Sequence, residues 1–221
     1  MNRKTKLLAT LLCALSFLGS CTNHQGNNNP PIDDENNNEN NDNNSGDNED
    51  ENQGDNEDEG PIPSSNTLTA YFSCTNNTEG IAEKISSSTS SILFEILPTI
   101  PYTSADLNYN DQNSRANKEQ NDPNARPEIK NDVDLTQYST IFLGYPIRWG
   151  RLPKIIYTFL DSYDFANKTI IPFATSGSSG ISTSVNEIKS LEPLANVLEG
   201  RRFPASSSQE DVDSRIKSLN L

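Results

Sequence analysis

Tyr71-Phe72-Ser73-Cys74-Thr75-Asn76-Asn77-Thr78 is the stretch on which the reading of the fold turns. Leu68, Ala70 and Phe72 alternate ahead of its loop as in a strand, and a helix-like run over residues 79–86 follows it. A strand that ends in small hydroxyl and amide residues and passes directly into a helix has the geometry of an anion site. Loop N–H groups and hydroxyls can converge on a phosphate that also feels the positive end of the helix dipole. The same residues also suit an ordinary helix N-cap, so the rest of the chain has to decide between the two.

Downstream, strands and helices alternate. Strands are expected at residues 67–72, 91–97, 140–144, 169–173 and 199–203. The run Thr140-Ile141-Phe142-Leu143-Gly144 is apolar enough to be buried on both faces of a sheet. Pro153 opens a helix with Ile155, Ile156, Phe159 and Leu160 as its buried stripe. Ser184 with Glu187 reads as a capping box for the next helix, and Ser208 with Asp211 caps the last one. A long polar excursion, residues 98–133, interrupts the pattern; it is too long for a neutral connection, and its Tyr and Arg content suggests a lid. The expected fold class is α/β: a doubly wound, five-stranded parallel sheet in three α/β/α layers. In such sheets ligands sit beyond the carboxyl ends of the strands, at the switch point.

Upstream of residue 66 the composition is different. Residues 1–20 begin with Arg3, Lys4 and Lys6 and continue into an apolar core over residues 7–18, as a secretion signal does. The ending Leu18-Gly19-Ser20-Cys21 resembles the bacterial lipobox, which implies a lipid on Cys21 and an extracytoplasmic, membrane-anchored location. Residues 21–65 form an acidic Asn/Asp/Glu-rich tether with too few apolar groups to fold. As a flexible coil, residues 22–65 would span roughly 35–40 Å. The tether carries thirteen acidic and no basic residues, so of the formal charge of −14 only −4 belongs to residues 66–221, and no nucleic-acid partner is expected. The one histidine, His24, lies in the tether and leaves the domain without a His base, His triad or His metal ligand. Cys74 has no partner in the domain, so no disulfide framework is available. No nucleophile-elbow pattern surrounds Ser176 or Ser178, which argues against a hydrolase.

Two further loops stand at strand ends. Gly144-Tyr145-Pro146-Ile147-Arg148-Trp149-Gly150-Arg151-Leu152-Pro153 follows the third expected strand, and Ala174-Thr175-Ser176-Gly177-Ser178-Ser179-Gly180 follows the fourth. Each has a plain alternative, a core or helix-packing Trp149 in the one and a flexible polar loop in the other. With the first loop, in this order, they resemble the flavodoxin-like family that binds FMN. The likeness covers nearly all of residues 66–221 and is closest to small bacterial members with an insertion of the Asp106-Leu107-Asn108-Tyr109-Asn110-Asp111 type. The resemblance implies the strand order 2-1-3-4-5. It assigns the phosphate to Ser73, Cys74, Thr75, Asn76, Asn77 and Thr78, and ring packing to Tyr145, Pro146, Ile147, Trp149 and Gly150. The pyrimidine edge falls to Thr175, Ser176, Gly177, Ser178 and Gly180. Where this chain has Asn76 the family usually has Gly. Asn is the residue with a side chain that best tolerates a left-handed turn, but that side chain can crowd the phosphate, so Asn76→Gly is expected to tighten FMN binding.

The expectation for function is an FMN-binding redox protein with no acid–base residue of its own. It would act as an electron carrier to a protein partner, or as a reductase linked to a quinone or NAD(P)H. The alternative is a surface lipoprotein that keeps the fold as a binding module without flavin. Arg148, Arg151 and Lys154 are read as a solvated helix start, or as an attraction for an anionic nicotinamide cofactor or substrate.

Overall fold

The structure, a computed structural model, describes residues 65–221. The expected secretion signal, lipid-bearing Cys21 and tether lie outside the described residues. Five positions of parallel sheet run in the order β2-β1-β3-β4-β5, built from β1 (Thr67–Tyr71), β2 (Ile92–Glu95), β3 (Thr140–Pro146), β4 (Thr169–Thr175) and β5 (Asn196–Val197). Helices α1 (Asn77–Thr89), α2 (Arg115–Asn121), α3 (Lys154–Ser162) and α4 (Ser182–Leu191) fall between them. A further strand, β6 (Arg201–Phe203), and helix α5 (Gln209–Ser218) close the chain.

Alternation along the central strands divides the core into two layers. Leu68, Ala70, Ile141, Leu143, Tyr145, Ile170 and Ala174 face Ile155, Ile156, Phe159 and Leu160 of α3 and Val185 and Ile188 of α4. On the opposite side Tyr71, Phe142, Ile171 and Phe173 meet Ile81, Ala82 and Ile85 of α1 and Val212 of α5. Helices on both faces make the sheet doubly wound, as expected. No helix among the described residues is long and apolar enough to cross a membrane.

The fifth strand is split, and β4 supplies the reason. Lys168 and Ile170 accept from the Asn196 and Leu198 N–H groups, so the even-numbered residues of β4 turn their polar groups toward the fifth position. Pro172 is next in that series and has no N–H to give. Pairing therefore lapses after Val197 and resumes at Arg201. Thr169 opposes Asn196, but Phe173 opposes Arg201, so the chain gains one residue across the gap, as in a bulge. The expected strand at 199–203 is the second half of this element.

One local expectation fails. Ser184 does not cap α4, which begins at Ser182; it is wholly buried and donates to the Ile181 carbonyl. Glu187 pairs instead with Arg151 and accepts from the Leu152 N–H. The capping box of Ser208 and Asp211 at α5 is present. The 98–133 excursion contains α2, whose only apolar residue is Ala116. With so little apolar periodicity this helix left no signal in the sequence. It is held by polar and ring contacts, with Arg115 over the Tyr102 ring at 4.0 Å and paired with Glu119 at 2.6 Å. The excursion returns along the sheet edge, where Lys130 N–H donates to Leu97 and Asn131 bonds Glu95 and Leu97.

Gly144 is needed where β3 passes under Phe173. A Cβ there would lie 2.2 Å from the ring carbon Cζ. Gly144→Ala should lower stability by about 1–3 kcal/mol, a fall in Tm of several degrees in a thermal melt. Phe173→Leu in the same chain should recover part of that loss by making room.

Candidate functional site

Strands β1, β3 and β4 are in register from Thr67, Thr140 and Thr169, so their carboxyl ends finish close together. A cavity of about 700 Å³ opens there. Its wall takes Ser73, Cys74, Thr75, Asn77 and Thr78 from the first loop, and Pro146, Ile147, Arg148 and Trp149 from the second. Thr175, Ser176, Gly177, Ser178 and Ser179 come from the third. The volume lies within the range of small-molecule and cofactor sites.

The first loop turns through Asn76, at φ 60° and ψ 1°, immediately ahead of α1. Asn tolerates this left-handed conformation better than other residues with a Cβ. Its carbonyl accepts the Gly80 N–H at 3.0 Å, while its side chain makes no capping bond. The first-turn amides of α1 are thus left to whatever enters the cavity. Asn76 itself lies outside the cavity wall. Thr78, buried at the start of α1, exchanges a hydrogen bond of 2.8 Å with Thr175. That bond ties the first loop to the third.

The second loop is a two-residue reversal. Arg148 and Arg151 exchange both backbone hydrogen bonds, at 3.0 and 2.8 Å, with Trp149 at φ 49° and Gly150 at φ 73° between them. Two positive φ values in a two-residue loop define a type I′ turn, normally filled by Asn-Gly or Asp-Gly. A tryptophan held in the left-handed region costs about 1–3 kcal/mol, and such strain gathers at functional sites. The turn keeps Trp149 55% exposed at the cavity. Its indole meets Tyr109 edge-on at 5.4 Å and donates to Asn117 at 2.8 Å.

The third loop is fixed from below. Arg202 of β6 donates to the Ser176 carbonyl at 2.8 Å and the Gly177 carbonyl at 3.2 Å. Gly177 has open space where a Cβ would stand, so a ligand can approach its backbone.

Four expected site residues fall elsewhere. Tyr145 is fully buried, with its hydroxyl on Ser184 at 3.0 Å, and cannot offer a flat face to a ligand. The strand runs on to Pro146 instead of stopping at Gly144, so Tyr145 is an inward-facing sheet residue opposite Ala174. Gly150 shapes the turn, as its place beside Trp149 suggested, and Gly180 precedes α4, but neither, like Asn76, lines the cavity. Arg148, Ser179, Pro204 and Ala205 line it without having been assigned to it, and Leu107 and Tyr109 line it from the excursion that was read as a lid. Tyr109 was the visible clue, one of few aromatic groups in the polar excursion. The three basic residues do not form one cluster: Arg148 stacks on Tyr109 at 4.6 Å, Arg151 pairs with Glu187, and Lys154 is buried over Tyr157.

Cys74 borders the cavity, but burial pushes its thiol to about 11 against the weaker opposing pull of Arg148 and Arg115. The helix start does not make it a reactive thiolate.

A family model described as flavodoxin matches residues 66–219. A protein of Bacteroides uniformis ATCC 8492, assigned as a flavoprotein, is 42% identical; the match covers 68% of this chain and 97% of that one, with a TM-score of 0.66. A second assigned flavoprotein, from Bacteroides eggerthii DSM 20697, is 38% identical over 70% of this chain and 98% of its own, with a TM-score of 0.67. A flavoprotein of Lactobacillus acidophilus NCFM, crystallised in complex with FMN, is 25% identical over 70% and 98%, with a TM-score of 0.56. No curated protein sequence matches the chain.

Because the thiol is protonated at neutral pH, alkylation of Cys74 by iodoacetamide should be slow at pH 8. It should accelerate only as pH nears 11, read by peptide mass mapping. Rapid modification at pH 7 would contradict its buried, neutral state.

Proposed function

The chain belongs to the flavodoxin family, and from that premise we propose that it is an FMN-dependent redox protein anchored to a membrane through a lipid on Cys21. One observation carries the cofactor assignment: the loops after β1, β3 and β4 meet in a single cavity beside an exposed, strained tryptophan.

The residues present fit FMN. Ser73, Thr75 and Thr78 offer hydroxyls and Asn77 an amide beside the uncapped amides of α1, a set suited to a phosphate dianion. The loop has no Lys or Arg, so dipole and N–H groups would carry the phosphate. Trp149 and Tyr109 give aromatic surface for a flat ring system, and Pro146 and Ile147 apolar surface beneath it. The backbone around Gly177 would meet the polar edge of that ring. When bound, the flavin supplies electron and hydride chemistry that no side chain of the cavity offers.

The chain's own part is positional. It orients the ring, keeps water from one face and presents N–H groups where negative charge grows on reduction. No histidine is present in residues 65–221 and Cys74 stays protonated, so no side chain of the cavity is set up as a proton acceptor near pH 7.

The basic start of residues 1–20 and the sequence Leu18-Gly19-Ser20-Cys21 support the membrane anchor and an extracytoplasmic location. Nicotinamide is scarce there, which favours a quinone or a protein as redox partner. The open setting of Trp149 and Tyr109 is compatible with either.

Chain purified from cells should be yellow, or should quench FMN fluorescence stoichiometrically when titrated. A colourless protein that leaves FMN fluorescence unchanged would favour the binding-module reading. Because Asn76 stands outside the cavity wall, the crowding once expected of it loses its basis. Asn76→Gly should keep FMN affinity within about threefold, whereas Asn76→Val, β-branched at φ 60°, should lower stability by about 1–2 kcal/mol, read as a fall in Tm.

A further inference from the structure

Asn117 is a polar side chain only 2% exposed, on the short polar helix of the excursion. Its amide nitrogen faces the carbonyls of Asn108 at 3.3 Å, Tyr109 at 3.2 Å and Asp111 at 2.7 Å. Its amide oxygen accepts the indole N–H of Trp149 at 2.8 Å. One side chain thus uses its donors on one cavity wall and its acceptor on another. Neither wall is fixed by core packing: Tyr109 is 45% and Trp149 55% exposed.

The two walls also depend on each other. Tyr109 meets the Trp149 indole edge-on, and the Arg148 guanidinium lies over the Tyr109 ring, 4.6 Å from its centre. An indole in a strained left-handed turn and half in water has many rotamers open to it. The bond to Asn117 selects one of them, and burial of Asn117 makes that bond stiff.

We infer that Asn117 is the positioning residue of the cofactor cavity, clamping Trp149 against the Tyr109 wall so that the cavity is shaped before any flavin arrives. The inference rests on the FMN reading for its consequence but not for its geometry. No other residue type at position 117 supplies this pattern at the same length. An ionised Asp cannot donate to any of these carbonyls, and Leu can neither donate nor accept.

Trp149 is the only tryptophan in the chain, so its fluorescence reports the clamp without interference. The test uses the full-length chain, stripped of flavin. Asn117→Ala should raise acrylamide quenching of Trp149 and shorten its local anisotropy decay, with an unchanged far-UV circular dichroism spectrum. It should also weaken FMN binding about tenfold, the effect of losing roughly 1.4 kcal/mol of preorganisation. Trp149→Phe keeps a ring but removes the indole donor, and in that background Asn117→Ala should cost at least threefold less than it does alone.

Unchanged quenching and anisotropy in Asn117→Ala, or effects of the two substitutions that simply multiply, would overturn the clamp. Asn117→Ser is the second variant if Asn117→Ala loses its native spectrum; loss of the spectrum in both would make Asn117 a folding residue and also overturn it. A wild-type chain that binds no FMN would defeat the cofactor assignment, while the fluorescence of the flavin-free protein would still decide the clamp.

Discussion

Parallel register across β1, β3 and β4 is the constraint from which the site follows. Each strand begins level with its neighbours at a threonine and ends within two residues of them, so three loops far apart in the chain emerge at one edge. The order β2-β1-β3 sends the chain in opposite directions from β1 and β3, and a crevice opens where the connections part. Thr78 and Thr175, 97 residues apart, then close the seam with a hydrogen bond buried from water. Burial in both core layers fixes the register, because a one-residue slip would turn Leu143 and Phe142 toward the wrong helices.

Of the five non-glycine residues at positive φ among the described residues, two, Asn76 and Trp149, stand in the loops of the site. Asn76 accepts the conformation readily and frees the amides of α1. Trp149 does not, and is held by both hydrogen bonds of its turn and by Asn117. A net hydrogen bond contributes about 0.5–1.5 kcal/mol, so three of them offset a strain of about 1–3 kcal/mol. Beyond its edge contact with Tyr109, an aromatic group left 55% exposed gains little from packing, which is why its placement speaks for ligand contact.

The polar excursion completes the arrangement. By composition it could pass for a loose lid, yet Arg115 and Tyr102 anchor α2, and Lys130 and Asn131 pin the returning chain to the edge beyond β2. It therefore presents Leu107 and Tyr109 to the cavity as a fixed wall. The match to the flavodoxin family over residues 66–219 includes this segment.

Much of this was open to reading from residues alone. Alternating apolar positions around Leu68 to Phe72, the unbroken run at Ile141 to Leu143 and the stripe of Ile155, Ile156, Phe159 and Leu160 determined the strands, helices and layering, since periodicity directly encodes which face is buried. The three loops could be named as one site because strand order alone places them together. Tertiary structure decided what depends on neighbours distant in sequence. Tyr145 was lost to the core when β3 ran two residues further, because pairing with Ala174 and Thr175 extended it. The fifth strand broke because Pro172, on a different strand, had no N–H to offer it. Ser184 and Glu187 left their local cap for Tyr145 and Arg151. The role of Asn117 was beyond sequence altogether, since a polar side chain takes its meaning from the donors and acceptors that folding brings within about 3 Å of it.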